Sequence, residues 1–416
     1  MRKWNVQYLR QLYEKYYFLS ENESDQFKAL EYENTANSIL DIIERYDELS
    51  SRKIITFPNI KLTSFKDVID SDLQIINKYG YYCQYIREIN DYNELLTIHP
   101  EQKLQRINFN SSKIISVSNS FFKQFKGIFY DTYSEMKNNF DKTIHFHKLN
   151  NRITNSGQTY SVYNTPISFF EMGVNSTVQD YVSSIHEFGH GISCSINPQA
   201  MWDYEKYCFI EVDSLFFEIL GTDYVGKKIH SEKDCFNINI QVLKDYLYSA
   251  QLICTKLDMY NSLNKKDLSS KKNIIEYLKN DANYNKLGIK DTLNTYVREY
   301  FHYIISYLTA IELYFIYQEE PDVALDILFQ IIINKKNTNI EYLEFVKSLG
   351  LEPGKNFDKY IKKLYDKAKE LKDEKSIQYK NKWFRKNIKI IKRIWSWLNC
   401  WYRYFKIRFL YKKIKK

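Results

Sequence analysis

The sequence predicts a mostly α-helical fold with one small β-sheet. Glycine and proline are scarce, with 11 and 6 among 416 residues, which favours long helices over the many turns of an all-β fold. Apolar residues recur at helical spacing along much of the chain. Strand-like runs, rich in aromatic and β-branched residues, are short and fall between residues 143 and 172.

The composition predicts a folded, soluble chain. With 44% hydrophobic and 27% charged residues, we expect a sizeable packed core. No stretch has the apolar length of a membrane span, and the first residues lack the apolar run of a secretory signal. The six cysteines are scattered without a CxxC pair, which favours free thiols in a reducing compartment. We therefore expect a cytoplasmic protein.

Residues 1–112 are predicted to form a helical N-terminal region. Helical spacing is visible in VQYLRQLYEKYYFL, in ANSILDIIERYDEL and in SDLQIINKYGYYCQYIREI. A further helix, VSNSFFKQFKGIFYDTYSEM, opens the next region. After it, His145 and His147 alternate as on a strand, where a surface strand is favoured over a metal-chelating pair. The runs TYSVY and PISFFEM are predicted to be short strands.

The stretch SSIHEFGHGIS carries two histidines at helical spacing. Ser176 and Gln179 have the spacing of a capping box, and apolar residues follow with a helical period. On this helix His186 and His190 lie one turn apart, so both imidazoles can reach one ion. Glu187 projects beside them, where it can accept a proton from a metal-activated water. The pattern indicates a metal site, although three fixed residues also occur by chance.

A third ligand is available in FIEVDSLFFEILG. Its apolar residues form one stripe, and we expect the helix to end at Gly221. Glu211, Ser214 and Glu218 fall on the other face. If these acidic residues are buried they need a partner, which a metal would supply. A solvated acidic stripe fits the spacing equally well.

HEFGH followed by EVDSLFFE resembles the thimet oligopeptidase and oligoendopeptidase F family of zinc peptidases. The resemblance implies that His186, His190 and Glu211 bind Zn²⁺ and that Glu187 is the general base. Glu218 matches a position that orients a ligand. It also implies a large helical zinc-peptidase domain over residues 113–370, with the small β-sheet at its active-site cleft.

Two further segments extend the resemblance. By position, Tyr300 and Tyr307 in REYFHYIISYLTAIEL match tyrosines that line the cleft and could donate hydrogen bonds to an oxyanion. Ordinary core tyrosines are the alternative, more so for Tyr300. The strand Ile167–Glu171 is expected to pair with the backbone of an extended peptide. The implied partners are therefore oligopeptide substrates.

These features predict a zinc-dependent metalloendopeptidase that hydrolyses short unstructured peptides. The alternative from another class is an inactive or weakly active relative that binds peptides or a membrane surface. A different HExxH peptidase is a third reading, which the EVDSLFFE segment disfavours.

Residues 380–416 are predicted to form a basic amphipathic tail. The part from 381 to 416 carries 13 of the 60 Lys and Arg residues and no Asp or Glu. Aromatic and aliphatic residues recur at intervals of three and four, which suits a helix lying on an anionic membrane surface. Packing on the chain itself or on a second copy fits equally well. Nucleic acid is a weaker third reading, because no known binding module is present. The tail could hold the protein at the inner face of the membrane.

Overall fold

The computed structural model confirms a mostly α-helical fold with one small β-sheet. The structure describes residues 3–50, 69–70, 72–74, 76, 104–149, 157–198, 207–263, 268, 270–280, 297–334 and 342–373. The basic tail and most of the predicted helix at 71–89 therefore lie outside the described residues.

The chain begins with a pair of helices, α1 (Val6–Asn22) and α2 (Gln26–Ser50), as the apolar spacing predicted. The Asn5 side chain caps α1 by accepting a hydrogen bond from the backbone N–H of Tyr8 at 3.0 Å. The two helices pack against each other along their length, forming what we call the N-terminal hairpin.

The prediction of a single helix over VSNSFFKQFKGIFYDTYSEM is wrong. The structure has two helices there, α3 (Ser111–Phe122) and α4 (Ile128–Lys137). They are separated by a turn that ends at Gly127, whose φ of 72° lies in the region that only glycine adopts readily. The short helix α5 (Phe140–Thr143) then leads into the sheet.

The sheet contains β1 (Ile144–Lys148), β2 (Gly157–Ser161) and β3 (Ser168–Val174), in the order β1-β3-β2. The central strand β3 runs parallel to β1 and antiparallel to β2. The two short strands expected from TYSVY and PISFFEM are thus confirmed, with bounds shifted by two residues.

The central place of β3 restricts where a substrate strand could pair with Ile167–Glu171. Phe170 and Glu171 each have a strand partner on both sides, whereas among the described strands Ser168 and Phe169 pair with β2 alone. A peptide cannot be added at Phe170 and Glu171, because strand addition needs an unpaired edge, and its pairing with the earlier part of the segment stays a prediction.

The two faces of the sheet contact different parts of the molecule. One face carries Phe146, Phe170 and Met172, which join the main core. The opposite face carries Tyr160 and Phe169, which pack against the N-terminal hairpin. The indole N–H of Trp4 also donates to the carbonyl of Phe170 at 3.0 Å, so the segment before α1 is tied to the central strand.

The main core is built from four long helices, α6 (Gln179–Ile196), α7 (Tyr207–Lys228), α8 (Glu232–Ser262) and α10 (Val297–Glu319). The helix α9 (Lys271–Asn280) lies between α8 and α10 in the chain. Three further helices, α11 (Pro321–Asn334), α12 (Tyr342–Ser348) and α13 (Phe357–Asp373), complete the described chain. None of the described helices combines the length and the apolar character that a membrane crossing requires.

Two local predictions for the core helices are wrong. The capping box does not form, because Ser176 has a φ of 58°, and α6 begins three residues later. Instead the Asp180 carboxylate accepts the backbone N–H groups of Asn175 and Ser176 at 2.8 and 2.9 Å. The second helix does not end at Gly221 but continues to Lys228. Gly221 serves packing, since a Cβ there would lie 2.8 Å from Cγ2 of Ile185.

The cysteines fit the expectation of free thiols where they can be seen. Cys194, Cys235 and Cys254 are buried and form no disulfide bond within the described part of the chain. The other three side chains lie outside the described residues.

Candidate metal centre

Helix α6 presents its two histidines on one side and its apolar residues on the other. Ile185, Phe188 and Ile192 are fully buried in the main core. His186 and His190 project away from that stripe, with ring centroids 4.9 Å apart. The spacing of four residues on a helix therefore places both imidazoles at one point, as the sequence predicted.

Helix α7 brings Glu211 to the same point. Its Oε2 lies 3.4 Å from Nε2 of His190 and 3.7 Å from Nε2 of His186. The helices approach closely because Gly189 faces α7, where a Cβ would lie 3.0 Å from Cα of Ser214. The three predicted ligands are thus brought together, with one donor atom from each within 4.8 Å of the others. We call His186, Glu187, His190 and Glu211 the metal centre.

Two neighbours on α7 hold these side chains. Oε2 of Glu218 lies 2.5 Å from Nδ1 of His186, which orients the ring so that Nε2 faces Glu211. The Ser214 hydroxyl is 3.0 Å from the carbonyl of Glu211 and 3.3 Å from its Oε2. Glu218 therefore lies where a residue that fixes the orientation of a metal ligand is expected.

The metal centre fits a zinc ion. His190 is 2% exposed, and its ring nitrogens make no hydrogen bond to any described residue. A buried polar group without a partner is costly, and a bound cation would remove that cost. Two imidazoles and one carboxylate are common zinc ligands, and three protein ligands are typical of catalytic zinc sites, which keep a fourth position for water or substrate.

The ionisable groups in and around the metal centre change one another's pKa values. Burial raises the pKa of Glu187 in spite of the opposing histidines. Burial also acts to raise the pKa of Glu211, but the nearby charges of His190 and His186 outweigh it and lower that pKa to about 2. For His186, burial acts to lower the pKa, yet the Glu218 contact and the other carboxylates raise it to about 9. The carboxylates of the metal centre and Glu218 therefore stabilise a positive charge on His186.

The two predicted tyrosines are both on α10, but only one can be described. Tyr307 is buried, and its ring stacks on Tyr246 with centroids 4.1 Å apart. Burial raises its pKa, with further contributions from Tyr246 and Glu218, so the phenol stays protonated at neutral pH. The side chain of Tyr300 lies outside the described residues.

Sequence reasoning missed two neighbours of the metal centre. Tyr246 on α8 is close enough to Glu218 and Glu211 for their charges to raise its pKa further, after burial. Thr159 on β2 contacts Glu187 directly. No motif marks either residue, because each reaches the centre from an element distant in sequence.

His145 and His147 do lie on a strand, but they are buried, and the surface strand that was expected is wrong. They face a second buried group on the hairpin side of the sheet. Oε1 of Glu171 lies 3.0 Å from both Nη2 of Arg45 and Nε2 of His147. Its Oε2 accepts from Nε of Arg45 at 3.1 Å and from the Tyr160 hydroxyl at 2.8 Å. We call Arg45, His147, Tyr160 and Glu171 the sheet cluster.

Comparison with known proteins returns distant structural likenesses. No protein-family model and no curated protein sequence matches this chain. A putative oligoendopeptidase F from Bacillus anthracis aligns at 11% identity with a TM-score of 0.46, over 86% of this chain and 65% of that one. PZ peptidase A aligns at 12% identity with a TM-score of 0.46, over 84% and 73%. A putative peptidase from Chlamydophila abortus aligns at 13% identity with a TM-score of 0.48, over 87% and 63%.

This chain thus spans less than two thirds of the Bacillus anthracis and Chlamydophila abortus structures. All three carry peptidase names, the class that the sequence motifs resemble. The function proposed below rests on the residues of the metal centre.

Proposed function

We propose that this chain is a zinc-dependent endopeptidase that hydrolyses short, unstructured peptides. The observation that carries the proposal is the convergence of His186, His190 and Glu211 from two helices, with Glu187 directly beside the first ligand. The motifs HEFGH and EVDSLFFE, whose resemblance pointed to peptide hydrolysis, belong to helices that meet at this centre.

Each residue of the metal centre has a separate role in the proposed reaction. His186, His190 and Glu211 would hold the ion, with Glu218 orienting His186. A bound zinc ion would lower the pKa of a water molecule and polarise the peptide carbonyl. Glu187 takes the proton from the attacking water and passes it to the leaving amine, as a general base and then a general acid.

Tyr307 is the best-supported candidate to stabilise the oxyanion. Its phenol keeps the proton that it would donate to an oxyanion, and it lies near Glu218 at the edge of the metal centre. A phenol donor aimed at developing negative charge contributes about 3 kcal/mol in comparable sites. We keep Tyr300 as a second donor on the strength of the resemblance, since the two residues share a helix.

The test is digestion of a mixed peptide library, read by mass spectrometry, with the metal content measured on the same samples. We expect wild type to cut short peptides internally. Glu187→Gln should keep its zinc and lose about 10²- to 10⁴-fold in kcat, because it removes the general base but no ligand.

Three outcomes of that test count against the proposal. Trimming of single residues from one end would replace an endopeptidase with an exopeptidase. Equal cleavage by wild type and Glu187→Gln would exclude Glu187 as the base. No cleavage by a folded, zinc-loaded wild type would favour an inactive relative that binds peptides or membranes.

We further propose that the basic tail at 381–416 binds an anionic membrane surface. The support is its 13 Lys and Arg residues without any acidic residue. The full chain should float with vesicles that contain anionic lipid, and a chain ending at Tyr379 should not. Equal flotation of both would show that the tail is not the anchor.

A further inference from the structure

The strand β2 lies beside helix α6 and faces it with every second residue. Side chains alternate across a strand, so Gly157 and Thr159 point to the same side of the sheet. That side contacts the metal centre at Glu187, while Tyr160, the residue after Thr159, points to the opposite side and the sheet cluster. The position of the Glu187 carboxylate is therefore bounded by this strand as well as by its own helix.

Thr159 contacts Glu187 twice. Its hydroxyl oxygen lies 2.7 Å from Oε2 of the carboxylate and 3.0 Å from the backbone carbonyl oxygen of the same residue. Both residues are buried, so water competes little for the hydroxyl proton. The single hydroxyl proton is shared between these two acceptors of Glu187, so one side chain ties the base to the strand.

Gly157 contributes space. A Cβ at this position would lie 2.6 Å from Oε1 and 2.7 Å from Cγ of Glu187, closer than non-bonded atoms can approach. Its backbone does not need the left-handed region, since β2 is an extended strand. Glycine is required here by the Glu187 side chain that occupies the place of a Cβ.

We propose that Gly157 and Thr159 form a seat on β2 that positions the general base Glu187. The inference deepens the proposed function and rests on it. A glutamate has three rotatable side-chain bonds, and a misplacement of about 1 Å costs on the order of 10²-fold in rate. The hydroxyl of Thr159 holds Oε2 and leaves Oε1 to take up the proton, and Gly157 lets the carboxylate lie flat against the strand.

The seat is itself held from the other face of the sheet. The Tyr160 hydroxyl contacts Oε2 of Glu171 at 2.8 Å and Oε1 of Gln158 at 2.9 Å. Glu171 is in turn fixed by Arg45. A positioning residue works only if its own backbone cannot move, and the sheet cluster supplies that support.

The test compares Thr159→Val, which keeps the shape and removes the hydroxyl, with Thr159→Ser, which keeps the hydroxyl. We expect Thr159→Val to lower kcat by about 10- to 100-fold with KM and zinc content near those of wild type. Thr159→Ser should recover most of the rate. A merely structural role would make both variants lose activity together with stability.

Gly157→Ala is the steric counterpart. We expect a loss of kcat at least as large as that of Thr159→Val, because the added methyl displaces the carboxylate. The free energy of unfolding of each variant, measured in urea, separates this effect from misfolding. A kcat of Thr159→Val equal to that of wild type would overturn the inference and leave the proposed function intact.

Crystal structures of wild type, Thr159→Val and Gly157→Ala give a readout that does not depend on activity. The Glu187 carboxylate should leave its wild-type place in both variants. An unmoved carboxylate in both would refute the seat even if the wild type cleaved no peptide. A moved carboxylate in a chain that cleaves nothing would keep the seat and reject the proposed reaction.

Discussion

The metal centre and the sheet cluster are both buried groups of histidine and glutamate, yet they are completed in different ways. In the sheet cluster, Glu171 is fully buried and its two oxygens contact Arg45, His147 and Tyr160. In the metal centre, Glu211 is equally buried, and its polar contacts in the described part of the chain are with His186, His190 and Ser214.

The two sites differ in the cation that balances the charge of their buried carboxylates. Arg45 provides a permanent charge and a fork of donors that matches the Glu171 carboxylate. Among the described residues, no Lys or Arg forms an ion pair with Glu187, Glu211 or Glu218. A cation stabilises a buried carboxylate. The sheet cluster has its own in Arg45, whereas in the metal centre the proposed function assigns that role to a bound ion.

Removing Arg45 should have the largest effect on stability, because it takes away the cation of the sheet cluster. Arg45→Ala should lower the free energy of unfolding by about 3–5 kcal/mol, because it leaves the Glu171 charge buried and uncompensated. Urea unfolding followed by circular dichroism measures the change. Its matched control is Arg45→Ala combined with Glu171→Gln, which should recover part of the loss. A single variant as stable as wild type would show that the sheet cluster is not closed by this pair.

The second effect concerns the pH dependence of stability. Burial, helped by the neighbouring His147 and Arg45, lowers the pKa of His145 to about 4. The unfolded chain, with an ordinary pKa near 6.5, therefore binds a proton that the folded chain refuses. Stability should fall by roughly 3 kcal/mol as the pH drops from about 6.5 to about 4, and level off below.

The check on that effect is the difference between wild type and His145→Phe, which keeps an aromatic ring beside Trp4. Urea unfolding at several pH values should show the fall between pH 6.5 and 4 in wild type and a smaller fall in the variant. Parallel curves for the two proteins would assign the pH dependence to other groups.

The third effect concerns Glu218 and the affinity of the metal centre for zinc. Glu218→Gln should weaken zinc binding by about 10- to 100-fold, because the carboxylate that orients His186 is lost while all three ligands remain. Competition with a chromophoric chelator measures the affinity. Glu319→Gln, at an exposed residue that pairs with Lys359, is the control and should bind zinc like wild type. Equal affinities in both variants would contradict a role for Glu218.

The smallest expected effect on stability comes from an ion pair that is exposed to water. Lys355 and Glu352 are 3.6 Å apart, and both side chains are 63% exposed. Lys355→Ala should change the free energy of unfolding by less than about 1 kcal/mol, and added salt should reduce even that. A loss as large as that of Arg45→Ala would mean that burial does not separate the two kinds of pair.

Local patterns and the family resemblance together predicted that His186, His190 and Glu211 come together. His186 and His190 share a turn, and Glu211 opens an acidic face on the next helix, so a short stretch of chain contains every ligand. The sheet cluster could not be predicted, because Arg45 and Glu171 are 126 residues apart and each looks like an ordinary surface charge in sequence. Thr159 was missed for the same reason.

Element types were predicted more reliably than their ends. The apolar period of 3.6 marks a helix, but it does not show that the chain turns at Gly127 or passes through Gly221. Each of these glycines lies within a segment whose apolar residues have helical spacing. One supplies a left-handed φ and the other a contact with Ile185, and only the tertiary structure distinguishes these uses.

The 126-residue separation between Arg45 and Glu171 also has a consequence for synthesis on the ribosome. Chain growth at about 5–20 residues per second places the partner roughly 6–25 s behind the N-terminal hairpin. During that interval Trp4 and the apolar side of the hairpin have no sheet to cover them. The nascent chain therefore exposes an apolar surface for seconds. This is the period in which binding by a chaperone would protect it most.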